Sequence, residues 1–382
     1  MAKNANGRGT IYQRSNGLWE GKITTGIDPL TKKQKRRSVY GKSQKEVKKN
    51  LDGIINDLDN DIYIEPSKMT VSQWLTIWVE DFLERVKPNT RLRYEAICEA
   101  HITPALGAIT LTALTPHAVQ KFVNILTREK KRAPKTVANI HGVLHKALQV
   151  AVTMGYLKTN PADRSILPLP VTPEIKPYDN DGARAFLQAI KGDSFEHLFF
   201  LALSTGIRQG EIIGLTWDRV DFDRGTIRVD RQLQRDRRTG AFDFTSTKNA
   251  KSRLITPPEQ ALAALRDQKR RQAAHRLAAG KLWQAKGFVF ANEIGGYTSP
   301  TTLYKHFKRI TAAIGLPDRR FHDLRHTYAT LALANGVGVK DVQETLGHFS
   351  AAFTLDVYGH VTESVRRDNA AKIDRFLIDL MS

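Results

Sequence analysis

The sequence predicts a multidomain protein that is mainly helical and carries small β elements. Its 382 residues exceed what one ordinary hydrophobic core holds, so two or three domains are expected. Short stretches of alternating apolar and polar residues near the N-terminus give way to longer segments with helical spacing. A stretch with four prolines, residues 166–178, then separates these segments from the C-terminal half.

The composition is that of a globular protein with a strong positive charge. Apolar residues make up 41% and charged residues 26%. Lys and Arg number 59 against 39 Asp and Glu, and the net charge of +20 favours a polyanionic partner such as DNA. A basic protein that binds ribosomes or anionic membranes is the alternative at this point. The sequence has no apolar run of 18 residues and no apolar stretch in residues 1–10, so we expect neither a membrane span nor a signal peptide. Its one cysteine, Cys98, cannot form an internal disulfide, which fits a reducing cytoplasm.

Residues 1–60 are expected to form a small domain of three strands and one helix. Strand patterns cover residues 10–14, 18–24 and 35–40, and Ser43 with Glu46 predicts a capping box at the start of the helix. Thirteen Lys and Arg against six acidic residues give this segment a net charge of +7. A two- or three-stranded ribbon can enter the major groove of DNA. The candidate DNA-binding residues are therefore Trp19, Lys22, Lys35, Arg36 and Arg37.

Residues 68–165 are expected to form a helical domain. Helices are predicted over residues 71–86, from 88 to about 102, from 115 onwards, and from 135 to about 154. The stripe of Trp74, Trp78 and Phe82 indicates core packing more than a platform for stacking bases. Arg93 and Lys135 on these helices are further candidate DNA-binding residues. The proline-rich linker, residues 166–178, then leads to a third domain over residues 179–382.

Three motifs in the third domain carry residues suited to phosphate chemistry. Arg208 follows an apolar helix and a glycine-bearing corner, where its guanidinium could clamp a phosphate, with Glu211 fixing it. His322 and Arg325 are three residues apart and share a helix face. Tyr358 lies ten residues after the Leu-Gly-His motif that ends at His348. Each motif alone has an ordinary alternative: a surface salt bridge, a chance spacing in a basic chain, or a buried aromatic.

The order of these motifs resembles the signature of the tyrosine recombinases, the phage integrase family. The motif at residues 346–348 and the one at 356–361 are most similar to those of integrases from phages and conjugative transposons of Gram-positive bacteria. The family also carries a lysine in a β-hairpin between its first arginine and its histidine motif. Lys248 matches that position, and Lys251 is the second choice.

The resemblance implies a fold for each segment. Residues 1–60 resemble an AP2-like arm-binding domain, and residues 68–165 resemble a SAM-like core-binding domain. Residues 179–382 are expected to have the mixed α/β DNA breaking-rejoining fold of the catalytic domain. Residues 362–380 carry an apolar stripe that docks on a neighbouring protomer or folds back on its own domain, and both possibilities stay open.

The resemblance also implies a site-specific recombinase that integrates and excises a mobile element or prophage. Tyr358 would form a covalent 3′-phosphotyrosine while His322 takes its proton, because a free tyrosine hydroxyl, with a pKa of about 10, is a poor nucleophile. Arg208, Arg325 and His348 would stabilise the charged phosphate, and Lys248 would protonate the departing 5′ oxygen. No metal, cofactor or ATP is expected.

The partners that the resemblance implies are double-stranded DNA with core-type and arm-type attachment sites, and three further copies of the chain around a Holliday junction. An excision factor and a DNA-bending protein would join them, in the bacterial cytoplasm and associated with the nucleoid. The alternatives are a chromosome-dimer or plasmid resolvase, a type IB topoisomerase, and a DNA-binding regulator with an inactive catalytic fold.

Overall fold

The computed structural model describes residues 9–27, 32–60, 63, 68–170, 176–236, 238–246, 252–347 and 378. The chain divides into two compact units, Met1–Thr172 and Pro173–Ser382. Within the described residues it is mainly helical with three small sheets, which confirms the fold class predicted from the sequence. No described helix combines the length and apolar character needed to cross a membrane.

The first unit begins with an antiparallel three-stranded sheet in the order β1-β2-β3. The strands are β1 (Thr10–Gln13), β2 (Trp19–Ile27) and β3 (Gln34–Gly41), and helix α1 (Gln44–Asp59) covers one face of the sheet. Ile23 packs there against Val47, Leu51 and Ile54. Gly21 faces this helix so closely that an added Cβ would lie 2.6 Å from a methyl carbon of Leu51, so only glycine fits.

The start of α1 differs from the predicted capping box in one hydrogen bond. The Ser43 hydroxyl accepts from the Glu46 N–H at 3.2 Å, as predicted. The Glu46 carboxylate, however, accepts from the N–H of Lys42, the residue before the cap, at 2.9 Å. The carboxylate therefore satisfies a loop donor, while the serine alone caps the helix.

A bundle of helices forms the rest of the first unit. Its elements are α2 (Val71–Asp81), α3 (Pro88–Ile97), a π-helical turn (Cys98–Ile102), α4 (Thr103–Leu106), a 3₁₀ turn (Leu111–Ala113), α5 (Pro116–Asn124), a second π-helical turn (Ile125–Glu129) and α6 (Pro134–Thr153). Trp74 and Trp78 are fully buried, and the Trp74 indole N–H donates to the Ala147 carbonyl at 2.9 Å. The prediction of core packing for this stripe is confirmed for both tryptophans.

One predicted helix boundary in this bundle was wrong. Helix α2 ends at Asp81 instead of residue 86, with Phe82 as its C-cap and more than a third exposed. Pro88 starts the next helix, and the residue before a proline avoids helical backbone, so Lys87 is extended and the chain must turn before it. The predicted helix from 88 to about 102 is helical over that span, as α3 followed by the π-helical turn Cys98–Ile102, which precedes Pro104.

The second unit packs helices around two small sheets. Its elements are α7 (Asn180–Ala189), α8 (Glu196–Thr205), α9 (Gln209–Ile213), a 3₁₀ turn (Trp217–Arg219), β4 (Val220–Asp221), β5 (Thr226–Val229), β6 (Arg231–Arg235), β7 (Phe242–Ser246), β8 (Arg253–Ile255), α10 (Glu259–Ala279), a 3₁₀ turn (Gly280–Leu282), α11 (Pro300–Ala313), α12 (Phe321–Ala334) and α13 (Val339–Leu346). Strands β4, β5 and β8 form one antiparallel sheet. Strands β6 and β7, which lie between β5 and β8 in the sequence, pair with each other in a two-stranded antiparallel ribbon. Phe186, Phe199 and Phe307 form the centre of its core.

The two ends of the predicted linker belong to different units. Backbone N–H and C=O of Ile166 bond to the Gln120 side chain of the first unit, at 2.7 and 3.1 Å. Tyr178 is fully buried in the core of the second unit, and its N–H donates to the hydroxyl of Thr327 on α12 at 2.9 Å. Tyr178 therefore anchors the chain to the helix that carries His322 and Arg325.

Candidate active site

A tight corner between α8 and α9 presents Arg208. Gly206 ends α8 in the left-handed region, with φ of +65°, and Arg208 is the N-cap of α9. An added Cβ on Gly206 would lie 2.5 Å from Leu346 and 2.8 Å from Tyr328, so the corner requires glycine for both its backbone and its packing. This contact brings the corner against α12 and the end of α13.

Arg208 is held by two groups that leave its side chain partly open to solvent. Its Nη1 donates to the Glu211 carboxylate at 3.0 Å, and its Nη2 donates to the Gly347 carbonyl at 3.3 Å. The Arg208 N–H also donates to Glu211, at 3.1 Å. The Arg208 side chain remains 22% exposed. Glu211 is thus placed to orient this arginine, and its supporting role in the reaction stays a prediction.

Two backbone carbonyls hold the side chain of Arg325. It is 3% exposed, and its guanidinium donates to the Gly206 carbonyl at 2.9 Å and to the Leu346 carbonyl at 2.7 Å. Arg208 donates to the carbonyl of Gly347, so the two arginines bond the carbonyls of consecutive residues at the end of α13. Two guanidinium groups held in this way have the geometry that a phosphate site needs, and their binding of phosphate stays a prediction.

His322 lies in the first turn of α12, beside these arginines. The surrounding protein removes part of its hydration, and His326, Arg325 and Arg208 add positive charge, so the pKa of His322 is lowered to about 4. The ring of His326 stands perpendicular to it, with the ring centres 4.9 Å apart. His322 is accordingly neutral at physiological pH and able to accept a proton.

The lowered pKa predicts the titration of His322 in the DNA-free protein. Its imidazole resonance should remain at the neutral position from pH 8 down to pH about 5.5, because the charged form becomes favourable only near the lowered pKa. The measurement is NMR of histidine-labelled protein, with the resonance assigned by its loss in His322→Gln. A titration midpoint at or above the ordinary histidine value would contradict this charge environment.

Arg253 was missed as a site residue by the sequence analysis. From strand β8 it donates to both oxygens of the buried Glu211 carboxylate, at 3.1 and 2.6 Å, and to the carbonyl of Thr345 at 2.7 Å. Burial opposes ionisation of Glu211, but hydrogen bonds and charges from Arg253 and Arg208 outweigh it, so the pKa of Glu211 is lowered. The only sequence signal was the position of Arg253 in the basic stretch that contains Lys248.

Lys248, His348 and Tyr358 lie outside the described residues, as does Lys251. Their roles therefore stay predictions. Tyr328, a tyrosine on α12 beside the described site residues, packs against Gly206 and is half-buried, and burial raises the pKa of its hydroxyl. Tyr328 is therefore poorly suited to act as a nucleophile. Among the described residues, no group of three or more His, Cys, Asp or Glu side chains is arranged to hold a metal ion.

The N-terminal sheet separates the five DNA-binding candidates onto two faces. Paired residues on antiparallel strands point to the same side, and Lys22 pairs with Ser38 while Thr24 pairs with Arg36. Lys22 and Arg36 are exposed on the face away from α1. Trp19 packs on the α1 side, and alternation places Arg37 on that side too, with its guanidinium 5.9 Å from the centre of the Tyr63 ring.

Lys35 lies next to an irregularity in the pairing of β2 with β3 and is half-buried. The candidates therefore lie on both faces of the sheet, because the pleat alternates their directions, and their roles in DNA binding stay predictions. Arg93 on α3 and Lys135 on α6 are both exposed.

A buried carboxylate organises the open face of this sheet. Glu20 is 2% exposed and accepts hydrogen bonds from Tyr12 at 2.7 Å and from Tyr40 at 3.4 Å. Arg14 and Lys22 form ion pairs with it at 3.1 and 3.5 Å. The hydrogen bond from Tyr12 is the main cause that lowers the pKa of Glu20. The open face is thus a preordered set of aromatic and basic groups.

Comparison with known proteins follows the same division of the chain. Residues 179–364 match the phage integrase family, and residues 70–127 match the phage integrase N-terminal SAM-like domain. A tyrosine recombinase XerC-like protein of Caldanaerobacter subterraneus subsp. tengcongensis is 30% identical over 85% of this chain and 88% of that protein. The ICEBs1 integrase of Bacillus subtilis is 24% identical over 96% of this chain and 100% of that protein.

Solved structures show the same fold. The Tn1549 transposon integrase in complex with transposon right end DNA has a TM-score of 0.68, with 23% identity over 80% of this chain and 99% of that one. A lambda integrase tetramer bound to a Holliday junction has a TM-score of 0.53, with 19% identity over 91% of this chain and 97% of that one. Sequence and fold agree, and the chain belongs to the phage integrase family of tyrosine recombinases.

Proposed function

We propose that this chain integrates and excises a mobile element or prophage by site-specific recombination of double-stranded DNA. The observation that supports this most directly is the convergence of Arg208 and Arg325 at the end of α13, with His322 near enough for both charges to lower its pKa. Two charged donors and a neutral imidazole are the groups that phosphodiester cleavage by a protein nucleophile requires.

Arg208 and Arg325 would bind the two non-bridging oxygens of the scissile phosphate. Backbone carbonyls hold Arg325 without neutralising it, whereas Arg208 bonds one carbonyl and the carboxylate of Glu211. Because the charge that develops on these oxygens in the transition state meets donors that are already oriented, little reorganisation accompanies the reaction. His348, which follows Gly347, is proposed to add a further hydrogen bond.

Tyr358 is the proposed nucleophile, and its hydroxyl proton would pass to neutral His322 as the tyrosine attacks phosphorus. The P–O bond to the 5′ oxygen breaks, and Lys248 would supply the proton that this oxygen takes up. The product is a 3′-phosphotyrosine, which retains a phosphodiester bond. A 5′-hydroxyl of a second strand can therefore displace the tyrosine without ATP.

A nicked suicide substrate tests this function. The strand downstream of the cleavage site is lost by diffusion from such a duplex, so covalent protein–DNA product accumulates and is visible on a denaturing gel. The duplex would carry the attachment-site core, mapped from the ends of the genetic element that encodes the chain. A DNA-binding regulator would give no adduct, and a type IB topoisomerase would relax supercoiled DNA without an attachment site.

The leaving-group role of Lys248 predicts a substrate-dependent defect. Lys248→Ala should slow cleavage of a normal substrate by about 100-fold or more, because the 5′ oxygen departs poorly without a proton. A substrate with sulfur at the 5′ bridging position should restore most of the rate, since sulfur leaves without protonation. Lys251→Ala is the matched control, and equal defects of Lys248→Ala on both substrates would contradict the role.

We propose the following division of the chain for DNA binding. Residues 1–60 bind a distal arm-type site, residues 68–165 bind the core-type site with Arg93 and Lys135 among the contacts, and residues 179–382 carry out catalysis after the linker at 166–178. The open face of the N-terminal sheet is the arm-binding surface, with Lys22 and Arg36 as the groups that reach base edges or phosphates.

This surface predicts a local loss of protection. The double variant Lys22→Gln/Arg36→Gln should lose footprinting protection at the arm site and keep it at the core site, because each good base contact contributes about 1–3 kcal/mol of discrimination. Lys45→Gln/Lys48→Gln removes the same charge from exposed positions on α1 and is the control for nonspecific attraction. Equal weakening by both double variants would contradict a specific arm-binding face.

The wider assembly is proposed from the relatives. Four protomers on two duplexes would exchange strands in pairs through a Holliday junction, as the lambda integrase tetramer is bound to one. An excision factor and a DNA-bending protein are proposed to control direction, and the setting is the bacterial cytoplasm at the nucleoid. Residues 362–380 would dock on a neighbouring protomer or on their own domain.

A further inference from the structure

One guanidinium group ties together three separate segments around the candidate active site. Arg253 bonds both carboxylate oxygens of Glu211 on α9 and the carbonyl of Thr345 in the last turn of α13. An added Cβ on Gly347 would lie 3.1 Å from Cδ of Arg253, so its side chain packs beneath the glycine that binds Arg208. The Arg253 side chain is 10% exposed and is directed into the protein.

We propose that Arg253 is a positioning residue for strand cleavage, which acts through Glu211 on Arg208. The inference rests on the proposed recombinase function. Arg253 supports the reaction without touching the phosphate, because three of its N–H donors bond Glu211 and Thr345 and its side chain is 10% exposed.

The charge balance of the cluster explains why a second arginine is needed. Glu211 is 1% exposed, and a buried carboxylate with one arginine forms a neutral pair. Arg208 would then be drawn fully to Glu211, and its positive charge would be cancelled before any phosphate arrived. With Arg253 as the principal partner of Glu211, the three groups carry a net charge of +1, and Arg208 keeps both its orientation and its attraction for phosphate.

A structural alternative assigns Arg253 only the task of joining β8 to the end of α13. That role would act through Thr345 and would be independent of Glu211. The two roles predict different cleavage rates when Arg253 and Glu211 are both substituted. If Arg253 acts through Glu211, the fold-losses in rate of the two single variants do not multiply in the double variant.

The first experiment is a double-variant cycle on the suicide substrate with the full-length protein. Arg253→Met and Glu211→Gln should each slow adduct formation by about 10- to 100-fold, as expected when a charged hydrogen-bond partner is lost. The combined variant should be no slower than the slower single variant. Arg266→Met, which removes an exposed arginine paired with Glu259 on α10, should cleave at the rate of the unmodified protein.

The second experiment tests whether the slower cleavage of Arg253→Met depends on the negative charge of the scissile phosphate. A methylphosphonate at the scissile position is neutral, so its cleavage needs less stabilisation by positive charge. On this substrate, Arg253→Met should therefore cleave no more than about threefold more slowly than the unmodified protein. A role confined to folding would leave the deficit equal on both substrates. Arg253→Lys keeps the charge but lacks the planar fork that bonds both carboxylate oxygens side by side, so its rate should be intermediate. This variant replaces Arg253→Met if Arg253→Met does not fold.

The outcomes separate this inference from the proposed function. If the unmodified protein forms no adduct, the proposed function fails. If it forms the adduct and the folded Arg253 variants match its rate, the positioning role is wrong while the function stands. Single defects that multiply in the combined variant, or a deficit that persists on the methylphosphonate, would also overturn the positioning role.

Discussion

Replacement of Tyr358 by phenylalanine is expected to abolish covalent attachment to DNA while leaving DNA affinity unchanged. Phenylalanine preserves the ring but removes the only atom that would attack phosphorus, so adduct formation should fall by more than about 1,000-fold. Adduct is measured on denaturing gels with the nicked substrate, and affinity is measured by gel shift with an intact duplex.

Tyr328 supplies the matched control for this substitution. It lies on α12 within the described site, packs against Gly206, and has its hydroxyl pKa raised by burial. Tyr328→Phe should therefore still form the adduct. Retention of the adduct by Tyr358→Phe together with its loss in Tyr328→Phe would show that the nucleophile has been assigned to the wrong tyrosine.

Replacement of Arg325 by lysine is expected to produce the second largest loss. Lysine keeps the charge, but its single ammonium group cannot bond the carbonyls of Gly206 and Leu346 and also face a phosphate in the geometry of a guanidinium group. Loss of one preorganised transition-state donor corresponds to about 100- to 1,000-fold in the cleavage rate. Single-turnover cleavage at saturating protein measures this rate separately from binding.

Arg320 on the same helix provides the comparison for Arg325. It is the N-cap residue of α12, its side chain is 59% exposed, and it pairs with Asp323 at 2.9 Å. Arg320→Lys makes the same chemical change outside the phosphate cluster and should alter the rate by no more than about threefold. If Arg325→Lys weakened DNA binding but cleaved at the normal rate once bound, Arg325 would have no part in stabilising the transition state.

The sequence predicted those parts of the site that are encoded by local spacing. His322 and Arg325 are three residues apart on one helix, and Arg208 follows a glycine corner, so short patterns and their order were sufficient to select them. Glu211 was also within reach of this reasoning, because it lies three residues after Arg208 in the same helical turn.

Arg253 was beyond that reasoning because its contacts are distant in sequence. It lies 42 residues from Glu211 and 92 from Thr345, and nothing local distinguishes a strand arginine that enters a buried ion pair from one that faces solvent. Only the packing of β8 against α13 brings the three together. Long-range polar networks of this kind depend on tertiary geometry that residue patterns do not encode.

The N-terminal sheet shows a similar division. Three strands and a helix followed from alternation and turn signals, and the basic character of β3 was evident. The pleat, however, separates Lys22 and Arg36 from Trp19, a separation that needs the strand register to be known. A glutamate buried on the open face, as Glu20 is, contradicts the usual exposure of that residue type and could not have been foreseen.

The most direct measurement of the nucleophile is mass spectrometry of the trapped adduct after digestion with trypsin and nuclease. Cleavage after Lys340 and Arg366 yields a peptide of residues 341–366 in which Tyr358 is the only tyrosine, while Tyr328 lies in the peptide of residues 326–340. We predict that the peptide 341–366 carries a nucleotide joined through its 3′ phosphate, with fragment ions that locate it on Tyr358. A nucleotide on peptide 326–340 would contradict the central claim, and so would an adduct at any residue other than Tyr358.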